Sequence, residues 1–305
     1  MDENNAADLP GDAEDALPDP QDISHKKEIR DFIQREIKRI RTYTPKIGVF
    51  GTTGVGKSSL CNALFGREIA EVSDVAACTR NPQEVLVSDD EGGGLILVDV
   101  PGVGENLERD KEYIELYQQL VPELDLILWA IKADDRAYAS AVQAYRTAIR
   151  PHEAKCPVVF VITQADKIEP CREWDVQRRQ PSGRQKHNLE IKKQHIAREF
   201  DLAGTQLVAV SAEENYNLDL LVSTIVAVLP NDKKASLVRE AKEENVSDET
   251  IAASETGILD YLAEKIGAGF DYAKEFLTDF VVETAVRYGS RISRIVVDWI
   301  AKKKW

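Results

Sequence analysis

Apolar positions along the chain fall into three regimes. Between residues 24 and 43, Ile29, Phe32, Ile33, Ile37 and Ile40 recur three or four residues apart, the spacing of one buried helix face. Between 46 and 229, short apolar runs alternate with helical patterns. The runs predict strands at 46–50, 84–87, 95–98, 124–131, 157–163 and 206–210. The intervening segments predict helices at 57–64, 107–120, 138–149, 188–200 and 218–229. Short runs that are apolar throughout, each followed by a helix, signal a largely parallel sheet covered on both faces. Gly92, Gly93 and Gly94 between two of the runs predict a hairpin, and with it one antiparallel strand. The fold class is therefore α/β. The stretch 169–187 is polar and long for a connection, which marks it as mobile or functional.

Beyond Pro230 the alternation stops. Ser247 or Asp248 can cap a helix. Leu259, Leu262, Ile266, Phe270, Ala273, Leu277, Val281, Ala285, Tyr288, Ile292, Ile295 and Trp299 then step by three or four. This reads as one long amphipathic helix or a helical hairpin, with Gly267, Gly269 and Gly289 as the places for a break. Residues 1–22 carry eight carboxylates and no Lys or Arg, and have little apolar surface to offset ordering. The expected organisation is an acidic disordered tail at 1–22, an N-terminal helix at 23–44, an α/β domain at 45–230 and a helical region at 231–305.

Composition narrows the class. With 43% hydrophobic and 30% charged residues in 305, the chain can bury a substantial core. A net charge of -14 argues against general nucleic-acid binding, which rests on basic side chains against phosphates. Cys61, Cys78, Cys156 and Cys171 include no C-x-x-C pair, as expected for free thiols in a reducing cytoplasm. No apolar run reaches the length of a membrane span, and the acidic start has no signal-peptide pattern.

The chemistry is concentrated at strand ends. Gly51-Thr52-Thr53-Gly54-Val55-Gly56-Lys57-Ser58 fits G-x-x-x-x-G-K-[ST] and lies between a predicted strand and a predicted helix. A phosphate chain must lie against backbone N–H groups at a helix start, so the loop is trimmed of side chains. Lys57 would bring a cation to the β- and γ-phosphates, and the Ser58 hydroxyl would ligate Mg²⁺. Thr53, Val55 and Ser59 complete the expected phosphate-binding set. Asp99-Val100-Pro101-Gly102 follows another strand. Asp99 would hold Mg²⁺ through water, and Gly102 would offer its N–H to the γ-phosphate. Thr79 is the candidate for a switch threonine that completes the metal and γ-phosphate shell, with Ser73 as rival. Thr163-Gln164-Ala165-Asp166 ends a further strand. The Asp166 carboxylate can accept both guanine N1–H and the N2 amino group, a donor pair that adenine lacks. Ser211-Ala212 is placed to give a backbone N–H to guanine O6. GTP or GDP with Mg²⁺ is the implied ligand.

With these motifs in order, the sequence resembles the Era-like branch of the translation-factor class of P-loop GTPases. Within it the chain is similar to the small prophage-encoded bacterial GTPases of the YeeP/YfjP group. The carrying segments are GTTGVGKSSLCNALF (51–65), VSDVAACTR (72–80), DVPGVGE (99–105), DLILWAIKADDR (125–136) and TQADK (163–167). The likeness covers about residues 45–230 and implies GTP binding, Mg²⁺ dependence and slow hydrolysis. Three departures stand out. Thr163 and Gln164 replace Asn and Lys of the family's N-K-x-D, Gly54 replaces the Asn tied to potassium stimulation, and Val103 stands where Ras-like proteins place a water-orienting Gln.

Three functions follow as expectations. The first is a slow molecular switch activated by a protein partner or by homodimerisation. Arg80 and Arg109 are the arginines near the switch segments, although a solvated role suits them better. The second is a dynamin-like protein touching the inner membrane peripherally through its C-terminal helix, which ends in Lys302-Lys303-Lys304-Trp305. Helices packed on the GTPase domain or on a second copy fit the carboxylates of that helix better. The third is an RNA- or ribosome-associated GTPase, supported by the basic residues Arg172, Arg178, Arg179, Arg184 and Lys186.

Overall fold

The computed structural model of the protein describes residues 23–65, 83–87, 94–104, 107–202, 207–267 and 273–302. Among them six strands form one sheet in the order β2-β3-β1-β4-β5-β6. The strands are β1 (Lys46–Gly51), β2 (Gln83–Val87), β3 (Leu95–Asp99), β4 (Leu126–Lys132), β5 (Val158–Thr163) and β6 (Leu207–Ala209). β2 pairs antiparallel with β3, as the glycine run predicts, and every other pairing is parallel.

The strands read as continuous apolar runs because both faces are covered. In β4, Ile127, Trp129 and Ile131 face one core, while Leu126 and Leu128 face the other. In β5, Phe160 and Ile162 alternate in the same way with Val159 and Val161. The first core centres on Trp129, whose indole meets Phe50, Tyr145, Phe160 and Phe200 with ring centroids 5.9–6.4 Å apart. It lies under α3 (Leu107–Leu120), α4 (Ala139–Ala144, continued by a π turn at Tyr145–Ile149) and α5 (Gly183–Phe200). The second lies under α2 (Lys57–Phe65) and α6 (Leu218–Val228). α5 begins five residues before its predicted start, because Ser182 and Gln185 form a reciprocal capping box.

The remaining helices form a bundle: α1 (Ile23–Thr42), α7 (Lys234–Glu240), α8 (Asp248–Ile266), α9 (Thr278–Tyr288) and α10 (Ser290–Lys302). The C-terminal pattern is interrupted at Gly267 and Gly289, both at positive φ; Gly269 and Phe270 lie outside the described residues. Its buried face is rotated from the predicted one. Phe280, Thr284, Ile292 and Val296 point inward, whereas Ile295 is exposed. α1 packs Ile29, Ile33 and Ile40 against Ile258, Leu259 and Leu262 of α8 and Phe280 of α9. Opposite charges line the same contacts, with Lys26 on Glu275 and Arg30 near Asp279.

Two polar knots fasten this bundle to the N-terminal ends of the strands. Asp125, at the start of β4, accepts from Tyr43 Oη, from the Lys46 amide at 2.8 Å and from Lys233 Nζ. Arg239 of α7 donates to the carbonyls of Arg41, Tyr43 and Gly94, joining the end of α1 to the entry of β3. No described helix is long and apolar enough to cross a membrane.

Inside the bundle, Glu255 is fully buried and is held by Arg41 at 3.0 Å and by the Thr284 hydroxyl at 3.0 Å. Burial pushes its carboxyl above the usual range, and Arg41 pulls the other way. Arg41→Ala is expected to cost about 3 kcal/mol in urea unfolding at neutral pH, because it leaves a buried carboxylate without its cation. A carboxyl with a raised folded pKa binds more protons when folded, so the loss should shrink as pH falls and Glu255 takes a proton. An equal loss at acid and neutral pH would contradict this.

Candidate nucleotide site

The sheet order places β1 between β3 and β4, so the chain reverses direction around β1. The crevice at the C-terminal ends of these strands is where open α/β sheets hold ligands. The phosphate-loop motif occupies that place. β1 runs into it, and α2 starts at Lys57, so the first helical turn opens at the crevice with its N-terminal end. Gly51 has φ +145°, and a Cβ there would sit 2.4 Å from the Ala130 carbonyl oxygen. Only glycine lets β4 approach this closely. Lys57 Nζ lies 3.3 Å from the Thr52 carbonyl, which curls the side chain back over the loop.

The second motif leaves β3 beside the loop. Asp99, the last residue of β3, is in register with Val49 of β1, two residues before β1 ends at Gly51. A Cβ on Gly102 would lie 2.5 Å from Thr53 N, 2.7 Å from Thr52 C and 2.9 Å from Gly51 O, all backbone atoms. Gly102 therefore lies directly on the phosphate loop. Thr52 and Val103 form a parallel bridge, and the Val103 side chain is buried in the Trp129 core. Two side chains of α3 pin the segment: Tyr117 donates to the Pro101 carbonyl, and Asp110 accepts from the Gly104 amide at 2.7 Å. Thr79, its rival Ser73, and Arg80 lie outside the described residues.

The third motif closes the crevice from β5. Thr163 is buried, and its hydroxyl donates to the Val55 carbonyl of the phosphate loop at 2.6 Å. Gln164 takes a left-handed conformation with φ 54°, and its Nε2 would be 3.6 Å from a Cβ on Gly56. The Gln164 side chain thus lies over the loop. Asp166 Oδ1 is buried without a hydrogen-bond partner among the described residues. It lines a cavity of about 100 Å³ with Gly56, Ser59, Thr163, Gln164, Ser211 and Ala212. A buried carboxylate oxygen left without a donor costs free energy, unless a ligand supplies one. The Ser211 amide is already spent on the Tyr216 carbonyl at 3.2 Å, and Ser211 Oγ accepts from Glu214 N. Ala212 lines the same cavity, and its N–H meets no acceptor among the described residues.

Sequence reasoning missed the supports of this cavity. The 169–187 stretch is built around Trp174, which packs edge-on against Tyr216 at 5.4 Å and so joins the two loops that flank Asp166. Gln185, fully buried, donates to the carbonyls of Asp166 and Ile168. A buried-size aromatic inside an otherwise polar segment was the available signal for this anchor.

Comparison with known proteins agrees with this geometry. A family described as 50S ribosome-binding GTPase matches residues 46–164. The protein YfjP of Escherichia coli strain K12 is 37% identical over 248 residues, 81% of this chain and 83% of its own. YkfA of the same strain is 35% identical over 277 residues, covering 91% and 92%. GTPase Era of Thermoanaerobacter sp. strain X514 is 30% identical over 229 residues, 73% of this chain and 67% of that one. The chain belongs to the Era-like P-loop GTPases. Among solved structures, Era in complex with MgGDPNP and nucleotides 1506–1542 of 16S ribosomal RNA is 27% identical with a TM-score of 0.46. That match covers 61% of this chain and 57% of the Era chain.

As a member, this Era-like GTPase binds guanine nucleotide with Mg²⁺ and hydrolyses GTP. The departure at Thr163 takes on a different meaning in the structure. Its hydroxyl bonds the end of β5 to the phosphate loop. Thr163→Val keeps the shape but strips the donor from the buried Val55 carbonyl. It should cost 1–3 kcal/mol in denaturant unfolding. A change below about 0.5 kcal/mol would show that the bond does not hold the two loops together.

Proposed function

We propose that this GTPase is a switch with slow intrinsic turnover, whose hydrolysis is raised by a second protein or a second copy of itself. Val103 carries this reading. It follows Gly102, where a side chain would have to steady the attacking water, and it is apolar and turned into the core. Hydrolysis in the isolated chain then rests on positioning and charge alone.

Within this reading Gly51, Thr53, Gly54, Val55, Gly56 and the start of α2 through Ser59 cradle the phosphates with main-chain N–H groups. Lys57 places its ammonium on the β- and γ-phosphates, and Gly102 offers its N–H to the γ-phosphate. Ser58 in the first turn of α2 and Asp99 at the end of β3, a hydroxyl and a carboxylate, suit Mg²⁺ by donor type; Thr79 would complete its shell. The metal supplies charge neutralisation between the phosphates. Asp166 holds the guanine edge, Ala212 gives its N–H to O6, Gln164 covers the base, and Thr163 keeps Asp166 level with the loop.

Ribosome association is a second reading. It draws support from the description of the matching family and from Arg172, Arg179 and Lys186, which are exposed and have no ion pair among the described residues. A membrane role is weaker, because α10 spends its apolar residues Ile292 and Val296 inside the bundle.

Lys57→Ala should abolish measurable binding of GTP. Asp166→Ala should leave the phosphates held but cut the preference for GTP over ATP by at least about a hundredfold, the worth of two hydrogen bonds to a charged acceptor. Equilibrium titration with both nucleotides checks the pair. An unchanged GTP preference in Asp166→Ala would remove the base-reading role.

A further inference from the structure

A cavity of about 670 Å³ opens beside the phosphate loop, on the side of β4. Its walls include Thr53 and Gly54 of the loop, Val103, Asp134 and Asp135 from the connection between β4 and α4, and Ser140 of α4. Two carboxylates beside a cradle for phosphates repel the ligand that cradle binds, unless a cation comes between them. Lys132 is the cation in the wall, and it is paired with Asp134 at 3.3 Å.

The connection is a rigid turn. The Asp135 carbonyl accepts from Tyr138 Oη at 2.7 Å and also from Lys192 Nζ, which lies 5.0 Å over the Tyr138 ring. The Asp135 amide donates back to the Lys132 carbonyl at 3.1 Å. Tyr138 is buried in the Trp129 core, so the turn is anchored to the sheet. Arg136 sits on this turn. It is exposed, forms no ion pair among the described residues and is not part of the wall of its own cavity. Arg39, Arg41, Arg150, Arg239 and Arg291 all have carboxylate partners. One short turn thus offers two carboxylates to a cavity and one unpaired guanidinium to the outside. Across a two-fold axis, such a surface is complementary to itself.

We propose that two copies of this chain meet face to face at their nucleotide crevices, and that each supplies Arg136 to the other's cavity. There the guanidinium lies between the Asp134 and Asp135 carboxylates and the phosphate loop, beside the γ-phosphate. Water oxygen bonds to the γ-phosphorus, the bond to the β–γ bridging oxygen breaks with its electron pair left on GDP, and the water's protons leave on the released phosphate and to solvent. The arginine exchanges no proton; it balances the charge that moves onto the bridging oxygen. This rests on the switch reading above and names the group that Val103 does not supply.

The test is GTP turnover per molecule over a wide range of protein concentration, for the wild type, Arg136→Ala and Arg136→Lys. Wild-type activity should rise by about tenfold or more as copies meet, Arg136→Ala should show no rise, and Arg136→Lys should show part of it. Adding an excess of Lys57→Ala chains, which keep Arg136, should raise turnover by Arg136→Ala chains. A flat wild-type curve, a full rise in Arg136→Ala, or no rescue by the added chains would overturn the proposal. Binding of a fluorescent GDP analogue in the same samples separates the two levels. Without binding, the nucleotide-site reading itself fails; with binding, those results reject only the exchange of Arg136.

Discussion

A phosphate chain held by main-chain N–H groups leaves no room for side chains, so the segments around it must pack backbone on backbone. Two segments do so here, and a third arrives through one short side chain. β4 reaches the loop at Gly51, where the Ala130 carbonyl fills the space of a side chain. The exit of β3 reaches it at Gly102, against Thr52 and Thr53. The exit of β5 reaches it through the hydroxyl of Thr163 on the Val55 carbonyl. Each contact joins a different functional loop to the same eight residues. A change of ligand at the loop therefore bears on backbone that the segments after β3 and β5 both touch.

The other ends of the same strands carry the helical bundle. Asp125 and Arg239 gather the end of α1, the start of β1, the entry of β3 and the start of β4 into two hydrogen-bonded knots. β1, β3 and β4 thus have the nucleotide crevice at one end and the bundle at the other. A strand is stiff along its length, so these three are the physical route by which the nucleotide state could reach the N- and C-terminal helices. The route is a path of contact; coupling along it is a separate, measurable property.

Much of this was legible in the sequence, for identifiable reasons. The strands were visible because a sheet buried on both faces needs apolar residues at nearly every position, as in residues 126–131 of β4. The phosphate loop was visible because its chemistry dictates residue types at fixed spacing. Other features depend on distant contacts. α7 is short and its role is set by Arg239 reaching three carbonyls far away in sequence. The buried face of α9 is shifted already before Gly289, to Phe280 and Thr284 instead of Val281 and Ala285, and after that break Val296 lies inside and Ile295 outside. The polar stretch 169–187 gave no periodic signal, yet Trp174 anchors it beneath the base loop. Thr163 looked like a loss against the family pattern, because spacing does not reveal where a hydroxyl points.

We propose that a buried carboxylate oxygen of Asp166, without a hydrogen-bond partner among the described residues, receives the donor edge of guanine above the phosphate loop. The most direct measurement is competition of GTP, inosine triphosphate and ATP for the unaltered protein loaded with a fluorescent GDP analogue. Inosine lacks the N2 amino group but keeps N1–H, so it should bind about tenfold more weakly than GTP, by one hydrogen bond to a charged acceptor. ATP lacks both donors and should compete far more weakly than either. Equal competition by GTP and ATP would contradict the account, since the site would then hold phosphates without reading the base.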